Sequence, residues 1–153
     1  GNFEVDLAES STPNSVKNFS FLVDNKYYDG TSFHRYLPNL LIQGGSRNTL
    51  NNDPDDDRYG GPGYVIDDEI NWDSLKISED KRQVLSEEGY RSVENLQSLP
   101  IERYAIAWAN SAPNTNGSQF FIVLGNTDNE KVKNLEGRHT VFGKVTKGME
   151  VID

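Results

Sequence analysis

Two histidines, one run of aspartates and Ser118 are the first residues of this chain to suggest conventional catalysis, and each falls short of it. His34 and His139 stand outside any metal-ligand spacing such as H-E-x-x-H. Asp53-Pro54-Asp55-Asp56-Asp57 opens like a calcium loop. Its sixth position, however, is Arg58 where the sharp turn needs Gly, and its twelfth is Tyr64 where a bidentate Glu would close the shell. Ser118, in Asn-Gly-Ser-Gln-Phe, lacks the second glycine of a nucleophile elbow, and no His or Asp spacing completes a triad. Gly60-Gly61-Pro62-Gly63 has no lysine and reads as a turn rather than a phosphate cradle. Asn18-Phe19-Ser20 and Asn116-Gly117-Ser118 fit the glycosylation triplet, a pattern common by chance. The absence of cysteine excludes disulfides, thiolate metal sites and a thiol nucleophile. Any chemistry here must be of another kind.

The elements that would position such chemistry are mostly short strands. Phe3 to Leu7 alternates apolar and acidic residues, the period of a strand with one buried face. Thr12-Pro13 suits a helix start, and Val16, Phe19, Leu22 and Val23 recur at helical spacing, predicting one amphipathic helix over 13–25. Ser32–Tyr36 and Leu40–Gln43 read as strands separated by Pro38-Asn39, and 46–63 has loop composition. Ser78 suits the cap of a helix through Glu88 with Gly89 as its stop, and Ser92 predicts a second helix through Leu99. Strand character returns at Tyr104–Trp108, Gln119–Leu124 and Thr140–Val145. The expectation is one mainly β domain over 1–153, an antiparallel barrel or sandwich, with 70–103 a partly helical insertion.

Composition bounds the partners. With 24 acidic against 15 basic side chains, the net charge of −9 opposes binding to nucleic acid or anionic lipid. No apolar run reaches the roughly 18 residues of a membrane span, and none has the order of a signal peptide. A monomeric, soluble protein in a cytoplasmic setting is expected, with a targeting segment ahead of Gly1 left open.

Four blocks carry a further pattern. They are Phe33-His34-Arg35; Pro38-x-Leu40-Leu41-Ile42-Gln43-Gly44-Gly45; the run Trp108-Ala109-Asn110-Ser111-Ala112-Pro113-Asn114-Thr115-Asn116-Gly117-Ser118-Gln119-Phe120-Phe121-Ile122; and Leu135-Glu136-Gly137-Arg138-His139-Thr140-Val141-Phe142-Gly143. In type and order they closely resemble the cyclophilins, peptidyl-prolyl cis–trans isomerases, over most of the chain outside 46–59 and 70–103. The resemblance implies an eight-stranded antiparallel barrel capped by helices, incomplete here, with a peptide groove on one outer face. By the same resemblance Arg35, Gln43 and Asn110 are catalytic. Leu41, Phe121 and Leu135 would floor a proline pocket, Leu40 and His139 would rim it, and Ala109 and Ser111 would contact the substrate. Proline-containing polypeptides are the implied partners, and no cofactor or metal is implied. Taken singly, Arg35 would be a surface ion-pairing residue, Gln43 a satisfied strand residue and Leu41, Phe121 and Leu135 ordinary core.

The implied chemistry is non-covalent. Twisting an X-Pro amide breaks its resonance against a barrier near 20 kcal/mol, and the proline nitrogen regains a lone pair in the twisted state. A fixed cation donating to that nitrogen binds the transition state better than either planar form, and Arg35 suits this because it stays charged and its fork can be steadied by Gln43. Asn110 would anchor the rotating peptide through its backbone. Strand alternation predicts that only one member of each pair Leu40-Leu41 and Phe120-Phe121 lines the groove.

The chain also departs from the family pattern. Leu40-Leu41 replaces the usual Phe-Met, which predicts a weaker grip on proline, and Asn134 replaces a tryptophan associated with strong cyclosporin binding, which predicts weak binding of that drug. Ser111-Ala112 replaces Ala-Gly and narrows the approach to a neighbouring side pocket. A strand before Phe3 and a helix and closing strand after Ile152 are expected to be missing. Three readings therefore stand: an isomerase, a non-catalytic module that captures proline peptides, and an interaction protein built on the insertion.

Overall fold

The computed structural model describes residues 1–153. Six strands form one antiparallel sheet that does not close on itself: β1 (Glu4–Leu7), β2 (Arg35–Leu37), β3 (Leu41–Gly44), β4 (Ala105–Trp108), β5 (Phe120–Val123) and β6 (Val141–Lys147), in the order β1-β6-β4-β5-β3-β2. Four helices accompany them: α1 (Pro13–Asp24), α2 (Glu79–Glu87), α3 (Glu130–Lys133) and α4 (Met149–Ile152). Two 3-10 turns, Arg47–Leu50 and Asp57–Tyr59, lie in the stretch that composition alone marks as loop.

Alternation sorts the sheet into two apolar faces. On one, Ile106, Trp108, Ile122, Phe142 and Val145 form a core to which α1 contributes Phe19. The Trp108 and Phe142 rings stack at 4.2 Å, and the Phe19 ring stands 5.2 Å from Phe142. Gly143 sits where β1, β6 and β4 converge, and a Cβ there would lie 2.9 Å from Ile106 Cγ2 and 2.7 Å from the Asp6 carbonyl oxygen. No larger residue fits without parting the strands. On the other face Leu41, Ala105, Ala107, Phe121, Val123 and Val141 pack together, joined by Ile101 and Val132.

The α1 helix follows its apolar spacing, with Pro13 in the first position and Val16 and Leu22 buried, while Val23 stays exposed. Its cap is not the residue at its start. Thr12 Oγ1 donates to the Ala8 carbonyl, and the Asn14 and Ser15 N–H groups donate instead to the Glu69 carboxylate, at 3.0 and 2.8 Å. A carboxylate from far along the chain thus satisfies the orphan donors and complements the positive end of the helix.

The segment after Ile70 has a small core of its own, made by Ile70, Trp72, Ile77, Leu85 and Tyr90. Ser78 caps α2 by accepting from Lys81 N, and Gly89 follows at φ +94, as the sequence predicts. The predicted helix from Ser92 to Leu99 does not form. Ser92 Oγ accepts from Trp72 N, Ser98 Oγ from Asn71 N, and Asn95 adopts φ +64. These short polar side chains satisfy the 71–74 backbone instead of starting a helix, the competition that makes them poor helix formers.

Candidate active site

Strand register builds the site. Arg35 on β2 pairs with Gln43 on β3, Gln43 with Phe121 on β5, and Phe121 with Ala107 on β4, so a cation, an amide and an apolar surface lie in one cross-strand row. Arg35 is exposed, and its Nη1 donates to Gln43 Oε1 at 3.2 Å. Gln43 Nε2 donates to Gln119 Oε1 at 3.0 Å, and Gln119 Nε2 donates to the carbonyls of Arg58 and Gly60 at 2.9 and 2.8 Å. Each amide is oriented by the next, and the chain of bonds ends on fixed backbone. Gln119 stands two residues before Phe121, so strand alternation places it on the same face. That signal was available within the long sequence block.

Beside this row lies the apolar surface. Leu41 and Phe121 are 4% and 2% exposed, and the partly buried Leu37, Leu40, Ala109 and Leu135 pack against their cluster. Alternation holds for Phe120-Phe121, with Phe120 turned to the Trp108 face. It fails for Leu40-Leu41, since both side chains join the same cluster. Leu40 precedes β3, in a turn where Asn39 takes φ +58, so the period of two does not yet apply to it.

His139 stands edge-on to Phe121, ring centroids 5.1 Å apart at 85°. Its Nδ1 lies 2.9 Å from the Trp108 carbonyl oxygen, a contact that requires the proton on Nδ1 when the ring is neutral. Burial holds its pKa down, against the pull of the Trp108 carbonyl, to about 4. His34 is likewise lowered, first by burial and further by the Arg35 charge.

Asn110 follows β4, and its side chain is fully engaged: Nδ2 donates to the Arg138 carbonyl at 2.9 Å, and Oδ1 lies 3.4 Å from the Tyr90 hydroxyl. Its own backbone N–H and C=O make no hydrogen bond within the chain. Together with Ala109, Ser111, Gln43 and Gln119, Asn110 lines a cavity of about 750 Å³ whose far wall is Gly60–Val65. A second hollow of about 640 Å³ shares Gln43 and Arg58 with the first and is lined further by Arg35, Asp55 and Asp57. Asp68 braces the loop that follows Asn110, accepting from Asn114 N at 2.9 Å and Asn116 Nδ2 at 2.8 Å.

Both glycosylation triplets are closed to modification. Asn18 and Asn116 are buried, and their amides donate to the Gly117 carbonyl and to Asp68. In the aspartate run, Asp53 Oδ1 accepts from Asp55 N and Asp56 Oδ2 from Asn51, bonds that shape the loop itself. No helix is long and apolar enough to cross a membrane.

A steadied guanidinium beside an apolar, peptide-accessible surface defines a site that can hold and twist a peptide without covalent chemistry. Comparison with known proteins agrees. The family described as "Cyclophilin type peptidyl-prolyl cis-trans isomerase/CLD" matches residues 1–153. The "Peptidyl-prolyl cis-trans isomerase-like 1" of Neurospora crassa is 36% identical over 155 residues, covering 99% of this chain and 73% of the relative. The peptidyl-prolyl cis-trans isomerase CYP18-1 of Arabidopsis thaliana is 37% identical over 156 residues, covering 100% and 75%. A crystal structure of a Cryptosporidium parvum cyclophilin type peptidyl-prolyl cis-trans isomerase, determined in the presence of the dipeptide Ala-Pro, superposes with a TM-score of 0.67 at 29% identity, covering 99% of this chain and 77% of that one. The chain belongs to the cyclophilin-type peptidyl-prolyl cis–trans isomerase family, and its function is that of an isomerase acting on proline peptide bonds.

Proposed function

We propose that the chain isomerises X-Pro bonds in flexible polypeptides with Arg35 as the transition-state donor. The observation that carries this assignment is the register row in which Arg35, Gln43 and Phe121 stand side by side, with the Gln43 amide held between the Arg35 guanidinium and the Gln119 amide. The proline ring rests on the surface made by Leu40, Ala109, Leu135 and the edge of His139 above buried Leu41 and Phe121. The flanking peptide pairs with the free backbone of Asn110, and the residue before the proline points past Ser111 into the 750 Å³ cavity. As the amide twists, its nitrogen pyramidalises and Arg35 donates to the new lone pair. Gln43 and Gln119 keep that donor aimed, so little reorganisation accompanies the step. The determination of the Cryptosporidium structure in the presence of the dipeptide Ala-Pro supports the same class of substrate here.

The test is the cis-to-trans rate of an Ala-Pro peptide, followed by NMR exchange, with wild type and Arg35→Ala after both are shown to be folded. A charge-assisted hydrogen bond of about 1.5–3 kcal/mol predicts a loss of roughly 10- to 150-fold. Peptide binding by folded wild type without acceleration would instead establish a capture module, with Leu40-Leu41 the first positions to examine.

A further inference from the structure

We propose that Glu88 and Tyr90, from the segment after Ile70, are positioning residues of the isomerase site, acting through Arg138 on Asn110 and the 134–139 turn. The proposal rests on the reading of Asn110 as the peptide anchor. Glu88 ends α2 and receives two parallel bonds from Arg138, Nε to Oε2 and Nη2 to Oε1, each 2.8 Å. The remaining arm of the same guanidinium, Nη1, donates to the Asn134 carbonyl at 2.6 Å. Arg138 therefore ties both ends of the turn to the end of α2 in the planar, bidentate geometry that arginine and carboxylate favour. The Arg138 carbonyl then accepts from Asn110 Nδ2 at 2.9 Å, while Tyr90 approaches Asn110 Oδ1 at a looser 3.4 Å.

The segment can bear this role because it is packed rather than draped. Leu85 is 0% exposed, and Gly137 comes so close to it that a Cβ would stand 2.7 Å from Leu85 Cδ1 and 2.9 Å from Ile77 Cδ1. Gly137 also has φ +85, a conformation that only glycine adopts without strain. Two further bonds fasten the same stretch: Lys81 Nζ to the Lys133 carbonyl, and Ile101 N to Glu136 Oε2, both 2.6 Å. The hydrogen bonds from Arg138, and secondarily its charge, hold the Glu88 carboxyl below its ordinary range. The turn so held carries Leu135 and His139. The segment is thus a buttress behind the apolar surface, not a lid over it.

The experiment measures kcat, KM and thermal midpoint on an Ala-Pro peptide for Glu88→Ala, Tyr90→Phe and Asn110→Ala, and for each of the first two combined with Asn110→Ala. Glu88→Ala is expected to lower kcat/KM about threefold to tenfold, the scale of a small misplacement of an anchoring group, and Tyr90→Phe about twofold. Tyr90→Phe should not lower it further once Asn110 is alanine, and Glu88→Ala should then retain only the part of its effect that passes through the 134–139 turn. The reciprocal pair Glu88→Arg with Arg138→Glu should recover activity, and Glu79→Gln, on the exposed first turn of α2, should leave it unchanged. Wild-type rates in Glu88→Ala and Tyr90→Phe would overturn the proposal, as would losses that add in full to that of Asn110→Ala or that Glu79→Gln shares. If Asn110→Ala is itself fully active, the Asn110 side chain does not set the position of the anchoring backbone and this proposal falls, while the backbone reading of Asn110 stands. Collapse of Arg35→Ala in the same assay keeps the isomerase assignment separate from that outcome.

Discussion

At the scale of the residue, the division of labour between Arg35 and its neighbours sets what substitution should do. In the proposed mechanism Arg35 contributes charge to the transition state, whereas Gln43 contributes aim through a bond of 3.2 Å. Gln43→Ala should therefore cost less than Arg35→Ala, about fivefold to tenfold in kcat/KM, because the cation remains but wanders. His139, the histidine at the apolar surface, is pushed down to about 4, well below neutrality, and burial lowers His34 against the pull of Asp57. The isomerase rate should accordingly be flat from about pH 6 to 8, where an unperturbed imidazole would show an inflection. An NMR titration should place the His139 midpoint near 4. Since its folded-state value is depressed, the neutral ring stabilises the fold in full above the ordinary 6.5, and that contribution is lost as pH falls from there through about 4.

At the scale of the element, α1 and α2 are held by residues remote in sequence. Glu69 is buried and accepts from the N–H groups of exposed Asn14 and buried Ser15 in the first turn of α1, so Glu69→Ala leaves the buried Ser15 N–H without its acceptor. A loss of about 1–3 kcal/mol in denaturant unfolding is expected. In α2, Leu85 alone faces fully inward and joins the helix to Trp72, Ile77 and Tyr90. Leu85→Ala should cost about 2–5 kcal/mol through the cavity it opens. It should also lower isomerase activity, because the helix supports the turn that carries Leu135 and His139. The absence of a helix over 92–99 belongs to the same scale: Ser92 and Ser98 are the acceptors that hold the 71–74 backbone, and a helix there would withdraw them.

At the scale of the whole molecule, the net charge of −9 and the Asp55 and Asp57 wall beside Arg35 act on peptides before they dock. Proline peptides with basic flanks should associate faster than acidic ones at low salt, and the difference should shrink as ionic strength rises above about 0.1 M, where the screening length is near 10 Å. Stopped-flow measurement with two peptides of opposite charge reads this directly. Asn134 caps the end of α3, where its backbone N–H closes the helix and its carbonyl takes Arg138. With no indole at that position, cyclosporin should bind weakly in a calorimetric titration while isomerase activity persists.

What the sequence by itself determined was local and compositional. The mainly β class, α1, α2 with its Ser78 cap and Gly89 stop, and the alternation that separates Phe120 from Phe121 all follow from short-range sterics and burial period. The resemblance of four blocks added the family and the residues Arg35, Gln43 and Asn110. Tertiary structure alone decided the strand order β1-β6-β4-β5-β3-β2, because the pairing of β3 with β5 joins segments whose separation in the chain leaves no local mark. It decided that Leu40 joins Leu41 on one face, since a turn residue escapes the strand period. It also decided that the Glu69 carboxylate caps the α1 backbone at Ser15 and that Glu88 grips Arg138, contacts between groups 54 and 50 residues apart in the chain. Such pairings arise only when separately specified elements pack, because the energy that selects them is shared between distant parts of the chain and is written in neither part alone.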